Sequence, residues 1–255
     1  MAVFLTGATG FLGTEVAAAL LRDTDETIYA LVRGEEEAAA AIRTQFGANV
    51  LLLNQVSPLS STEVRNRIFD AKPVTGMVPE AQEHYMYLNG CYQPRELLPM
   101  YERLKQEISA HRMDHTAYVI QTAVALAERF DVDPKKARLA ALLHDCAKSF
   151  PEEKLLPYAD TDPAILPVLH APAGAEYART VYGVEDPDVL NAIRLHTTGD
   201  AGMRKLEQVI YLADMIEPSR QYEGVDEIRQ AGDLNQMMRL ALSRTIWYIK
   251  KRNYA

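Results

Sequence analysis

His144 and Asp145 stand side by side at the end of an apolar stretch. His115 lies 29 residues before the pair, and Asp214 lies 69 residues after its aspartate. Imidazoles and carboxylates in the order H…HD…D suit a helical site that holds metal for hydrolysis of a phosphate ester. Two further histidines, His170 and His196, fall between the pair and the last aspartate, so four of the six histidines follow residue 114. They are spaced about a helix apart, which a shared site explains better than scatter. Donors of this kind without thiolates suit iron, manganese or zinc and do not choose among them. An ionised Asp214 within the apolar run VIYLADMI needs a partner, because burying an unpaired charge is costly, and a cation is the natural one. His84 and His111 read as ordinary surface or packing residues.

Such donors need helices to carry them. One helix is expected from about Met113 to Phe130 and another from Pro134 to Lys148. Only Asp131–Asp133 joins them, which makes them antiparallel neighbours. At 1.5 Å per residue, His115 stands roughly 22 Å and His144 roughly 15 Å from the turn, towards the same end of the hairpin. Asp145 follows His144 by roughly 100° around the helix, so both are expected to reach one ion or a pair of ions. His170 opens a helix after Pro167. His196 closes one that starts near Pro187, and Thr197 and Gly199, where that helix end meets solvent, read as substrate contacts. From about Arg95 onward the pattern is wholly helical.

The first 95 residues differ. Residues 1–50 read as β-α-β-α: a strand at Val3–Leu5, the turn TGATGFLG, a helix from about Phe11 to Leu21, a strand at Thr27–Val32 and a helix from about Glu35 to Phe46. The run LLLNQV then forms a strand that Ser57-Pro58 breaks. Ser60, with Glu63 three residues on, starts a capped helix through Phe69. Prolines and glycines at 73, 76, 79 and 90 predict a loop-rich stretch. Three strands and three helices suffice for a small Rossmann-like half-domain, so the expected domains are 1–95 and 96–255. The fold class expected is mainly α, with a small N-terminal α/β segment.

Composition narrows the function classes. A net charge of −8 argues against a general nucleic-acid binder, which needs a basic face to displace counterions. Two cysteines, Cys91 and Cys146, cannot build a disulfide framework and fit a reducing compartment. The apolar first residues lack a basic start and carry Gly7, Gly10, Gly13 and Glu15, which is unlike a signal peptide. No apolar run reaches the ~18 residues of a membrane span. The expectation is a cytoplasmic protein with a small-molecule partner and neither nucleic acid nor membrane; a homodimer stays open.

Three resemblances can be placed on these residues. Gly7, Gly10 and Gly13, with Thr6 ahead of them, resemble the glycine turn of extended short-chain dehydrogenases/reductases, over about 45 residues. "YALVRG" is similar to the second strand of that family, where Arg33 would favour the 2′-phosphate of NADP. The Tyr-x-x-x-Lys pair and further strands of that family are not found, so neither NADP binding nor redox catalysis is expected. "LSSTEVRNRI" and "VPEAQEHYMYLNGCY" resemble the C-terminal end of nicotinate-nucleotide adenylyltransferases. Ser60, Ser61, Thr62 and Arg65 match the positions that cradle ATP phosphates there. The His-x-Gly-His motif of those enzymes is missing, and adenylyl transfer is not expected.

The third resemblance runs from about Arg95 to Ala255. "HRMDHTAYVIQTAVALAERFDVDPKKARLAALLHDCAK", "LHAPAGAEYA", "NAIRLHTTG" and "VIYLADMIEPSR" look like the YqeK family of HD-domain proteins, which are symmetrical bis(5′-nucleosyl)-tetraphosphatases. The resemblance implies an all-helical HD fold and a two-metal centre, normally iron. Its ligands carry over onto His115, His144, Asp145, His170, His196 and Asp214. It also implies cleavage of diadenosine tetraphosphate into two ADP, with Asp145 as a carboxylate shared between the metals. Lys148, Arg112 and Arg220 are the candidate phosphate contacts, with Lys205 a weaker one. Rival readings keep the site but change the substrate to nucleoside di- or triphosphates, or make the chain a nucleotide sensor without turnover.

Overall fold

A computed structural model describes residues 2–6, 11–25, 27–31, 40, 44, 60–158 and 168–253. The chain divides into two compact units, Met1–Pro58 and Leu59–Ala255. In the first, β1 (Ala2–Thr6) and β2 (Thr27–Leu31) pair in parallel, Ala2 opposite Thr27 and Thr6 opposite Leu31. Parallel neighbours cannot be joined by a hairpin. Helix α1 (Phe11–Asp23), which contains Gly13, makes the crossover. Gly7, Gly10, Arg33 and the strand expected over 51–56 lie outside the described residues. Of the helix expected over 35–46, Ala40 and Thr44 are described, with the Thr44 hydroxyl donating to the Ala40 carbonyl at 2.9 Å.

The second unit is helical among its described residues. Its elements are α2 (Ser61–Phe69), α3 (Glu80–Leu88), α4 (Leu98–Glu107), α5 (Ala110–Phe130), α6 (Pro134–Leu143), α7 (Glu152–Leu155), α8 (His170–Val181), α9 (Pro187–Leu195), α10 (Lys205–Ile216), α11 (Val225–Gln230) and α12 (Leu234–Asn253). No described helix is long and apolar enough to cross a membrane.

Two expectations are corrected here. The stretch after Pro73 holds a full helix, α3, which starts at Pro79 with Glu80 and Glu83 in its first turn, where the helix dipole favours them. It stops ahead of Gly90, whose φ of +63° and close Tyr101 ring (3.2 Å from where a Cβ would stand) leave room for glycine alone. The units also meet at Pro58–Leu59 rather than near residue 95, because α2 and α3 pack on the helical unit. Arg138 of α6, 3% exposed, donates to the carbonyls of Ile68 and Phe69 at 2.9 and 3.0 Å and to Gln93 Oε1 at 3.0 Å. Arg138→Met strands three acceptors and is expected to cost about 3 kcal/mol in denaturant unfolding. An unchanged midpoint would show that α2 is held by its apolar contacts alone.

Ser60 caps α2 as expected, accepting from the Glu63 N–H at 3.0 Å. Arg65 is turned onto its own helix, donating to Thr62 Oγ1 at 3.1 Å.

The helical hairpin that carries the site is built by its caps. Ser109 accepts from the Arg112 N–H to start α5, and Asp131, in the left-handed conformation, ends it. Asp133 accepts from the N–H groups of Lys135 and Lys136, and Pro134 opens α6. Each such cap stabilises a helix by about 1 kcal/mol. Met113, Ala117, Ile120, Val124 and Ala127 give α5 a buried stripe at helical spacing. Facing it, Ala137, Ala140 and Ala141 of α6 are wholly buried and small, so the two backbones approach closely. Helix α10 packs against α5, α6 and α9, which brings Asp214 to the same end.

Candidate metal centre

Helix α6 ends at Leu143, five residues short of the expected Lys148. The chain beyond it tightens into turns, with the Cys146 N–H on the Leu143 carbonyl (3.1 Å) and the Lys148 N–H on the Asp145 carbonyl (3.0 Å). His144 caps the helix, and its Nδ1 lies 2.7 Å from the Ala141 carbonyl. A carbonyl only accepts, so Nδ1 carries the hydrogen and Nε2 presents a lone pair. His196 repeats the device at the end of α9, with Nδ1 2.7 Å from the Ile193 carbonyl.

These turns sort the six expected donors into two triads. His115, His144 and Asp214 offer one donor atom each within 4.8 Å of one another, and Asp145, His170 and His196 do the same. The neighbours His144 and Asp145 thus fall in different triads; the expectation for them was one ion or a pair of ions. The rings form a chain: His115 to His144 at 5.4 Å between centroids, His144 to His196 at 5.1 Å, and His196 to His170 at 5.3 Å. Asp145 stands where the triads meet. Its Oδ1 is 3.4 and 3.3 Å from Nε2 of His170 and His196, and its Oδ2 is 3.8 Å from Nε2 of His144.

The site's electrostatics fit cations. His144 is completely buried, and its Nε2 and Asp145 Oδ1 are buried atoms without hydrogen-bond partners among the described residues. Burial disfavours the imidazolium and pulls His144 down to about 4, against the smaller pull of Asp145. Burial, with His196 and Lys148, takes His170 to about 3. Both rings are therefore neutral at pH 7, the form able to ligate a metal. Burial alone would raise the Asp145 and Asp214 carboxyls, yet the surrounding histidines and cations hold both below the usual range. His115 is the exception: against burial, hydrogen bonds to Asp214 (3.0 Å) and Glu217 (3.1 Å) raise it to about 9. Lys148 Nζ lies 2.6 Å from His170 Nε2 and 3.9 Å from Asp145 Oδ1. Uncommitted lone pairs, low-pKa carboxylates and an ammonium on a ligand nitrogen suit a metal pair.

Comparison with known proteins follows this geometry. The HD domain family model matches residues 112–219, a span that contains all six donors. The chain is 45% identical over 159 residues to the symmetrical bis(5′-nucleosyl)-tetraphosphatase of Bacillus subtilis, covering 59% of this chain and 86% of that protein. It is 41% identical over 165 residues to the protein of the same name from Halalkalibacterium halodurans, covering 59% and 85%. The chain belongs to this tetraphosphatase family.

A crystal structure described as that of a predicted HD superfamily hydrolase involved in NAD metabolism, from Clostridium acetobutylicum, superposes with a TM-score of 0.57 at 38% identity, covering 60% of this chain and 86% of that one. The N-terminal residues 5–68 match a different model, the Male sterility protein family of NAD-binding domains, so the Rossmann-like resemblance extends past the 45 residues first assigned to it.

In this member of the family the remaining expected residues lie as follows. Arg112 Nη1 is 3.6 Å from Asp145 Oδ2, and Arg220 Nη2 is 2.6 Å from Asp214 Oδ1. The Thr197 hydroxyl sits 3.1 Å from His170 Nε2 and 2.9 Å from His196 Nε2. Gly199, at φ +64°, donates its N–H to the Leu195 carbonyl and has Met203 3.2 Å from where a Cβ would stand, so its visible task is the turn itself. Lys205 donates to the Phe130 carbonyl at 3.0 Å. One group was missed: Glu217, fully buried, hydrogen-bonded to His115 Nδ1 and to both the N–H and hydroxyl of Ser219. Its signal was available, since a carboxylate three residues after Asp214 shares that residue's helix face.

Proposed function

We propose that this chain is a metal-dependent hydrolase of dinucleoside polyphosphates. It cuts diadenosine tetraphosphate between its two central phosphorus atoms to give two ADP and uses a pair of metal ions, iron being the native one. The observation that carries this reading is the meeting of two three-donor groups at Asp145. His115, His144 and Asp214 would hold one ion and His170, His196 and Asp145 the other, with the Asp145 carboxylate shared. Bound there, such a pair supplies an acidified water and neutralises charge on the attacked phosphoryl group.

The chain's own side chains do the rest. Arg112, Lys148 and Arg220 ring the donors, and each lies within 4 Å of a site carboxylate. A polyphosphate that arrives with its own negative charge takes over these cations. Lys148 has an ammonium whose pKa burial lowers, and it is the group best placed to leave His170 for a phosphate oxygen. The Thr197 hydroxyl lies against Nε2 of His170 and of His196, so it would give up those nitrogens when an ion is bound. The product ratio tests the proposal. With manganese- or iron-loaded protein, diadenosine tetraphosphate is expected to yield ADP alone. AMP with ATP would mean asymmetric cleavage, and hydrolysis of nucleoside di- or triphosphates in preference would move the substrate class. Tight nucleotide binding without turnover would make the chain a sensor.

A further inference from the structure

Two residues reach from the segment after α10 to one triad only. Glu217 Oε1 takes a hydrogen bond with His115 Nδ1 at 3.1 Å, and Arg220 Nη2 donates to Asp214 Oδ1 at 2.6 Å. Both stand on a short irregular stretch between α10 and α11, which has no regular structure to fix it. Arg229 of α11 clasps that stretch. Its Nε donates to the Ile216 carbonyl at 2.9 Å, and its Nη2 donates to the carbonyls of Glu217 at 2.8 Å and Arg220 at 2.9 Å. Its Nη1 is held by Asp226 Oδ1 at 2.9 Å. One planar fork thus gathers three backbone oxygens, two of them belonging to the very residues that touch the triad.

The other triad is held differently. His196 is oriented by the carbonyl of its own helix, and His170 has Thr197 and Lys148 against its Nε2 but neither Glu217 nor Arg220. We infer that Arg229 is a positioning residue for the His115–His144–Asp214 triad alone, acting through Glu217 and Arg220. The inference rests on the metal reading above and makes the two ion sites energetically separable. The carboxylate behind a ligating histidine fixes its ring and raises its basicity, and loss of such a partner typically weakens metal binding about 10–100-fold. A lysine keeps the charge at 229 but cannot present the fork.

The test titrates manganese into metal-free chains by equilibrium dialysis and records the metal-free melting temperature alongside. The chains are the unaltered protein, Arg229→Met, Arg229→Lys, Glu217→Gln, the Arg229→Met/Glu217→Gln double variant, and Arg129→Met. Arg129 is the control because it also donates to backbone carbonyls, those of Ala231 and Gly232 just past the end of α11, and to neither Glu217 nor Arg220. The unaltered chain is expected to bind two ions. Arg229→Met should weaken one of them about 10–100-fold and leave the other within about threefold. Arg229→Lys should recover little of that loss. Glu217→Gln should behave alike, and the double variant should add little to either single change, as residues acting through one path do. Arg129→Met should lower the melting temperature and keep the unaltered titration. Equal weakening of both ions in Arg229→Met, or a titration like that of the unaltered chain, overturns the inference while leaving the metal reading in place. Absence of manganese binding in the unaltered chain removes both.

Discussion

Asp145→Asn is expected to slow hydrolysis of diadenosine tetraphosphate by at least about 10³-fold, roughly 4 kcal/mol of barrier. The carboxylate faces both triads, with Oδ1 towards His170 and His196 and Oδ2 towards His144. An amide has the same shape but only one oxygen, and its NH₂ cannot accept a cation. Its loss also frees Arg112 from its carboxylate partner, so the charge balance of the rim changes at the same point. Metal analysis should find fewer than two ions per chain. Turnover near that of the unaltered chain with two ions still bound would remove Asp145 from the shared position.

His144→Ala should be as damaging to turnover, with a different thermal signature. The ring is wholly buried between those of His115 and His196, and its Nε2 has no hydrogen-bond partner among the described residues. At free metal 100-fold above its dissociation constant, each filled site stabilises the native state by about 2.7 kcal/mol. The unaltered chain should therefore melt markedly higher with manganese than without, and His144→Ala should lose the first triad's share of that rise. Unchanged turnover in His144→Ala would remove the assigned chemistry. An unchanged rise in melting temperature would show that the stabilising metal sits elsewhere.

Much of this centre was legible before any coordinates, because the order of donors is a property of the chain. His170 and His196 were assigned to the first position of one helix and the end of another, and they stand there. Strands β1 and β2 were placed within a residue or two because a glycine turn between a short apolar run and a helix has few other solutions. The partition of the donors was not legible. It depends on α6 stopping at Leu143, and that stop rests on a ring-to-carbonyl bond that apolar periodicity does not encode. Glu217 had a signal in its spacing from Asp214, but next to Pro218 an acidic residue at a helix end also looks like a solvated terminus, and that reading prevailed. The boundary near 95 failed because prolines and glycines punctuate α3 on both sides and mask the helix between them. Arg138, an ordinary cation by sequence, is what ties that region to the helices beyond it.

In α6 and α9 the residue that ends the helix is also one proposed to offer its lone pair to an ion. Secondary structure and reactivity are therefore written at one position and cannot drift apart. An alanine inserted just before either histidine would advance its ring by about 100° and 1.5 Å, displacing the terminus and the donor in a single event. The solvent-facing turns of these helices carry no such double duty, so inherited change should collect there and avoid the final four residues before each ring.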